Sequence, residues 1–208
     1  METDIASNTP QQTWENLKAG NARYASGQLE HPHASADRRA DLRAGQDPKV
    51  AIFSCGDSRV PAELVFDMGL GDAFIIRNAG HIVDEAVLAS VQFAVDDLNC
   101  NLLVVMGHQS CGAVKATVGF LEKDATIPVG FQRAIVEKVS LAALAAKAEG
   151  KDTTDDFERR NTVETVKQLM ARIPHLQARV EDGTLGIVGI RYLLDDGTIE
   201  PLILHGVQ

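Results

Sequence analysis

Four short apolar runs, rich in β-branched residues, constrain this chain most: KVAIFSC (49–55), DAFIIR (72–77), NLLVVMG (101–107) and TLGIVGIRYLL (184–194). Runs of this length without polar alternation suit strands covered on both faces, as in parallel sheets flanked by helices. The intervening sequence supplies the helices. Residues 84–98 place Val87, Val91, Ala94, Val95 and Leu98 on one helical face, and residues 129–149 and 155–173 are longer stretches rich in Ala, Glu, Lys and Arg. Near the end, Asp196-Gly197 stands between two apolar runs, a hairpin signal that predicts a last strand paired antiparallel at an edge. The pattern is an α/β fold with a mostly parallel β-sheet, an antiparallel edge strand and flanking helices.

Upstream of the first strand, Trp14, Leu17 and Tyr24 recur among polar residues, and Pro10 stands where a first helical turn begins. These predict an amphipathic helix ending near Gly27, and a shorter one from Ser35 to Ala44 closed by Gly45. Together they form an N-terminal helical arm over residues 10–45, packed on its own subunit or on another. A single domain over residues 1–208 is expected, since a chain of 208 residues buries a core without disulfides or a structural metal. Any metal then serves chemistry.

The 20 Lys and Arg against 29 Asp and Glu give a net charge of -9, which argues against nucleic-acid and anionic-membrane partners while leaving room for a small-anion pocket. No apolar run approaches the roughly 18 residues of a membrane span, and METDIASNTPQQTW lacks the basic and apolar regions of a signal peptide, so a cytoplasmic protein is expected. Cys55, Cys100 and Cys111 are odd in number and show no disulfide spacing, which fits a reducing compartment and leaves the thiols for packing or metal.

Polar residues just past the carboxyl ends of strands open into the ligand crevice of such a sheet. The first strand runs into Cys55-Gly-Asp57-Ser-Arg59, and the third into His108-Gln-Ser-Cys111, with a helix predicted from Gly112. Two thiolates, an imidazole and a carboxylate form a coherent ligand set for tetrahedral zinc. Parallel neighbouring strands bring the two pairs together. Cys100, with no ligand type beside it, is expected to be a small core hydrophobe. His31, His33, His81, His175 and His205 have no comparable setting and are read as ordinary histidines.

CGDSRV, GDAFIIRNAG, SVQFAVDDL and GHQSCGAV, in this order, resemble the β-class carbonic anhydrases, and LKAGNARYASG, NTVETVKQL and LGIVGIRYLLDDG extend the likeness over nearly the whole chain. The resemblance implies a lyase that uses Zn2+ to hydrate CO2 reversibly to bicarbonate and a proton, by attack of zinc-bound hydroxide. It implies Cys55, His108 and Cys111 as the permanent ligands, and an Asp57–Arg59 dyad controlling the fourth position. Arg59 holds Asp57 aside in an open state; Asp57 takes the fourth site in a closed one, favoured at low pH. Two thiolates neutralise the zinc charge, so activity is expected to lean toward alkaline pH.

The same resemblance places Gln46 against bicarbonate, Phe74 and Phe93 as an aromatic wall for CO2, and the Gly112 N–H against a substrate oxygen. Some of these groups come from an adjacent subunit, so a homodimer or homotetramer is implied. Phe93 stands where tyrosine is common, Ile52 where a bicarbonate-regulated subgroup has tryptophan despite Arg77, and His81 where asparagine is usual. Two other readings stay open: a zinc hydrolase acting on carbonyl sulfide or carbon disulfide, and a structural zinc closed permanently by Asp57.

Overall fold

Local capping signals set the ends of several elements. The computed structural model describes residues 9–122, 126 and 128–208; the first eight residues of the expected domain lie outside the described residues. In α1 (Pro10–Ala25), the Thr9 side chain accepts from the Gln12 N–H and the Gln12 side chain accepts from the Thr9 N–H, with Pro10 in the first turn. After it come α2 (Ala36–Asp41), capped by Ser35 and prolonged by a 3-10 turn over 42–44, then β1 (Val50–Cys55), α3 (Ala62–Val65) and β2 (Ala73–Asn78). The middle holds α4 (Glu85–Asp96), capped by Asp84, then β3 (Leu102–His108), α5 (Gly112–Glu122) and α6 (Arg133–Ala148). The chain finishes with α7 (Thr154–Arg172), α8 (His175–Glu181), β4 (Gly186–Tyr192) and β5 (Ile199–His205).

The strand order is β2-β1-β3-β4-β5, parallel except for β5, which runs antiparallel to β4 across a bulge at Gly189/Ile190. The predicted sheet and its antiparallel edge are both present. One detail differs: β1, β3 and β4 are buried throughout, whereas β2 is an edge strand in which only Ile76 is buried. DAFIIR is apolar without being covered on both faces.

Alternation along the strands feeds two cores. Ala51, Phe53, Leu103, Val105 and Ile187 pack on one face with residues of α4, α7 and α8, including Val91, Leu169 and Leu176. Ile52, Val104, Met106, Val188 and Ile190 pack on the other with Trp14 and Leu17 of α1, Val65 of α3 and Phe66 just after it. The helical arm therefore packs α1 on its own sheet. Burying each such large side chain contributes about 1.5–3 kcal/mol. A third cluster, where α5, α6 and α7 meet, contains Cys55 and Cys111 among Val114, Val139, Ala143, Ala146 and Phe157.

The fit of α7 on β3 depends on Gly107. A Cβ there would lie 2.0 Å from the Thr162 hydroxyl oxygen, so only glycine lets this helix approach so closely.

Candidate metal centre

β1 and β3 are parallel neighbours in a register that pairs Ser54 with Met106, so Cys55 and His108 finish at the same edge of the sheet. The chain then turns through Ser110, at φ 59°, and delivers Cys111 immediately before α5. The ligating atoms of Cys55, His108 and Cys111 all lie within 4.8 Å of one another, and all three residues are buried. In tetrahedral zinc sites, sulfur and nitrogen ligands lie about 3.6 Å apart, which this cluster accommodates.

His108 is set for a cation. Its Nδ1 lies 2.9 Å from the Gln109 carbonyl, which fixes Nδ1 as the donor, and leaves Nε2 buried with no hydrogen-bond partner. Burial, the largest single influence, pushes the His108 pKa down, but the Cys55 sulfur, the Gln109 carbonyl and the Asp57 carboxylate together raise it above the ordinary value. A field that favours a proton here also favours a metal cation.

The two sulfurs share this logic. Hydrogen bonding from Cys111 draws the Cys55 pKa down to about 3, against the opposing effect of burial. The Cys55 thiolate and burial push the Cys111 pKa up. The pair thus favours one thiolate and one thiol sharing a proton, and a divalent cation that displaces that proton would let both sulfurs ligate beside the buried His108 Nε2. The Gly80 N–H also donates to Cys55 Sγ at 3.3 Å. The donor set fits zinc.

Asp57 stands beside this cluster, outside it. Arg59 donates from Nε to Oδ1 at 2.9 Å and from Nη2 to Oδ2 at 2.7 Å, and the Arg59 backbone N–H adds a third bond at 3.0 Å. The Arg59 side chain is the chief reason that the Asp57 pKa lies well below the usual carboxylate range. Oδ2 remains 4.0 Å from His108 Nε2. Arg77, from the neighbouring strand, ties down the same loop by donating to the carbonyls of Cys55 at 2.9 Å and Asp57 at 2.7 Å.

The carbonic anhydrase family model matches residues 50–199. Carbonic anhydrase 2 of Mycobacterium tuberculosis is 48% identical over 188 residues, covering 90% of this chain and 90% of the relative. The carbonic anhydrase of Mycolicibacterium smegmatis is 46% identical over 196 residues, covering 94% and 95%. The chain belongs to the β-class carbonic anhydrases. Its fold matches one of two tetrameric β-carbonic anhydrases from the ascomycete Sordaria macrospora with a TM-score of 0.69, at 21% identity, over 92% of this chain and 98% of that one.

The wall residues implied by the β-carbonic anhydrase resemblance are dispersed. Gly112 opens α5 beside the cluster. Phe74 pairs with Ala51, four residues back from the row that pairs Cys55 with Asn78, or about 13 Å along the strand. Phe93, 45% exposed on α4, lies against Phe74 with ring centroids 5.9 Å apart. Gln46 precedes β1, beyond the opposite end of the strand from Cys55, on a cavity of about 830 Å³ shared with Arg38, Lys49 and Asp67. One chain thus brings the proposed ligands together and leaves Gln46, Phe74 and Phe93 apart from them.

Cys100 is fully buried, as expected of a core thiol, with Sγ 3.2 Å from the Pro48 carbonyl. His33, exposed, and His175, half-buried, pair with Asp72 and Asp96. His81 departs from the ordinary reading. It is 1% exposed, at φ 40°, edge-on to Phe53, with Nε2 3.0 Å from Asn161 Nδ2 and Nδ1 without a partner. Burial pushes its pKa down to about 4. Its position follows from the turn after β2, which folds back under Cys55, a tertiary placement that no local pattern announces.

Other residues around the centre were also absent from the sequence reading. Glu158 and Arg191 form a buried pair at 2.8 Å, and Glu158 accepts the Cys111 N–H at 2.9 Å. The spacing of Glu158, Asn161, Thr162 and Thr165 on α7 was the available signal: a polar stripe at helical period.

Proposed function

We propose that this carbonic anhydrase acts through a zinc ion held by Cys55, His108 and Cys111, interconverting CO2 and bicarbonate. The observation that carries the reading is the convergence of three buried ligand atoms within 4.8 Å while Arg59 holds the neighbouring carboxylate aside. Zinc, when bound, supplies the Lewis acidity that makes water a nucleophile near neutral pH. The residues do the rest. Asp57, anchored by Arg59, keeps acceptor capacity at the edge of the cluster and orients the attacking water by accepting its hydrogen bond. Arg59 also keeps that carboxylate out of the fourth ligand position, so losing its grip closes the site.

Cys55 and Cys111 bring two negative charges to the centre, which shifts activity toward alkaline pH. The Gly112 N–H, at the start of a helix, points partial positive charge toward a substrate oxygen. Gln46, Phe74 and Phe93 complete the pocket from a second copy of the chain, so the active form is at least a homodimer; the tetrameric relatives from Sordaria macrospora agree with assembly of this kind. Among the described residues no helix is long and apolar enough to cross a membrane, and the three cysteines are unpaired, which suits a reducing cytoplasmic setting.

Stopped-flow CO2 hydration on zinc-quantified protein, at pH about 7 and about 8.5, tests this reading. Turnover that rises at the higher pH, and falls in Asp57→Ala, is the expected result. No turnover at either pH with zinc fully loaded would overturn it, and parallel assays on carbonyl sulfide would then separate a sulfur-substrate hydrolase from a closed structural site.

A further inference from the structure

Helix α7 turns a row of polar side chains toward the interior: Glu158, Asn161, Thr162 and Thr165 are all buried. Their spacing places them on one face of the helix. Buried polar groups cost free energy unless they are hydrogen-bonded, so such a stripe needs partners. Its partners lie on both arms of the metal centre.

Glu158 reaches the Cys111 arm. Its Oε1 accepts the Cys111 backbone N–H at 2.9 Å, and its Oε2 accepts from Arg191 Nη2 at 2.8 Å and Nε at 3.2 Å. Arg191 is 1% exposed on β4, opposite Gly107, and also contacts Asp155 at 2.9 Å. The carboxylate is therefore fixed by a guanidinium that is itself fixed. It leaves the Cys111 N–H one place to point.

Asn161, one turn along, reaches the Cys55 arm. Its Nδ2 donates to the Gly80 carbonyl at 3.2 Å and lies 3.0 Å from His81 Nε2. Gly80 in turn donates its own N–H to Cys55 Sγ. That residue sits at φ 74°, and a Cβ on it would lie 2.8 Å from the Ala113 Cβ, so the turn is fixed on both sides. Orientation of ligands by outer hydrogen bonds is a general property of metal sites.

We propose that Glu158 and Asn161 are a matched pair of positioning residues for the two sulfur ligands, Glu158 acting through the Cys111 N–H and Asn161 through the Gly80 backbone, whose carbonyl it holds while the Gly80 N–H, across the same Cα, donates to Cys55. Helix α7 thereby sets the spacing of the two thiolates, and with it the affinity of the centre for a soft, tetrahedral divalent metal. The inference rests on the reading of Cys55, His108 and Cys111 as metal ligands.

The test uses the full chain loaded with Zn2+ or Co2+. Zinc affinity is measured by chelator competition, sulfur coordination by the sulfur-to-cobalt charge-transfer absorption, and folding by circular dichroism. Asn161→Ala and Glu158→Ala are expected to fold, to lose about 10–100-fold in zinc affinity and to shift or weaken the charge-transfer band. Glu158→Gln retains an acceptor for the Cys111 N–H, so it restores affinity and band while lowering the melting temperature through the lost Arg191 ion pair. Lys167→Ala, on the exposed face of the same helix, matches the parent.

A folded Asn161→Ala with parental affinity and band overturns the proposal. So does a folded Glu158→Gln that loses affinity as severely as Glu158→Ala, because the hydrogen bond would then not be the route. If Glu158→Ala does not fold, the Asn161→Ala and Glu158→Gln results decide on the same terms. Cys111→Ala separates this failure from that of the ligand reading: it loses the metal if Cys111 is a ligand, whatever α7 does, and its retention of the metal would sink the ligand reading instead.

Discussion

The carboxyl ends of β1 and β3 and the outer side of β2 carry equally suggestive residues, yet a single chain treats them differently. At the first, Cys55, His108 and Cys111 are buried and their ligand atoms converge within 4.8 Å. At the second, Phe74 and Phe93 pack against each other at a tilt on a half-open edge, and Gln46 lies past the far end of β1. The difference comes from reach. Groups at the ends of adjacent parallel strands are set by a register that one chain fixes, whereas a wall that on the proposed reading serves a second copy of the chain would be set only by assembly.

The most severe way to break the contrast is to remove a ligand. Cys111→Ala should lower bound zinc to background and CO2 hydration by at least about 100-fold, because two of the three proposed ligands are too few to hold zinc. Zinc per chain by atomic absorption, measured beside turnover, checks this. A variant that keeps both would show that the convergence of the three side chains has no part in metal binding.

The second test addresses the wall. If Gln46 serves its partner's centre, a Gln46→Ala chain and a Cys111→Ala chain repair each other in one of the two sites of their heterodimer. Random re-pairing of equal amounts should restore about a quarter of full activity, since half the dimers are mixed and half their sites are whole. Recovery measured after subunit exchange, against each variant alone, decides it. An absence of recovery with exchange demonstrated would place Gln46 within its own subunit's chemistry or outside the chemistry altogether.

These tests bear on what the sequence makes readable. The strands, the hairpin at Asp196-Gly197 and the helix opening at Gly112 are local patterns with local physical causes, and each appears where it is expected, with Cys55 and His108 at the ends of their strands. The edge status of β2 is not local, because DAFIIR is as apolar as a central strand and only the strand order exposes it. The burial of His81 and the grip of α7 on both sulfur arms are tertiary as well. His81 and Asn161 are 80 positions apart in the sequence and meet only once α7 packs across β3 and β4.

A smaller effect is expected where α7 meets the sheet. Gly107→Ala would press a Cβ to 2.0 Å from the Thr162 hydroxyl, in a spot where Thr162 is fully buried. The helix must shift outward or the threonine must rotate, at a cost of about 1–3 kcal/mol. Urea unfolding reads the loss, and a companion drop in zinc affinity would show that the α7 spacing is transmitted to the metal end. Parental stability would mean that the helix moves away without penalty.

The remaining effect concerns His81, and it is confined to acid. Burial pushes its pKa down to about 4, while an unfolded chain binds that proton near the ordinary value of about 6.5. The unfolded state therefore holds more protons between these two values. Stability contributed by the neutral ring is complete above about pH 6.5, falls as the pH drops through the window, and is gone below about pH 4. By pH 5 the loss amounts to roughly 2 kcal/mol. His81→Asn removes the titration, and asparagine tolerates the positive φ of 40° at this position. The difference in unfolding free energy between parent and variant should therefore shift by that amount in favour of the variant from pH 7 to pH 5, with shared contributions from the sulfur ligands cancelling. An unchanged difference would mean that water reaches the ring, and that the metal end is less sealed than the enclosure of His81 by Phe53 and Asn161 implies.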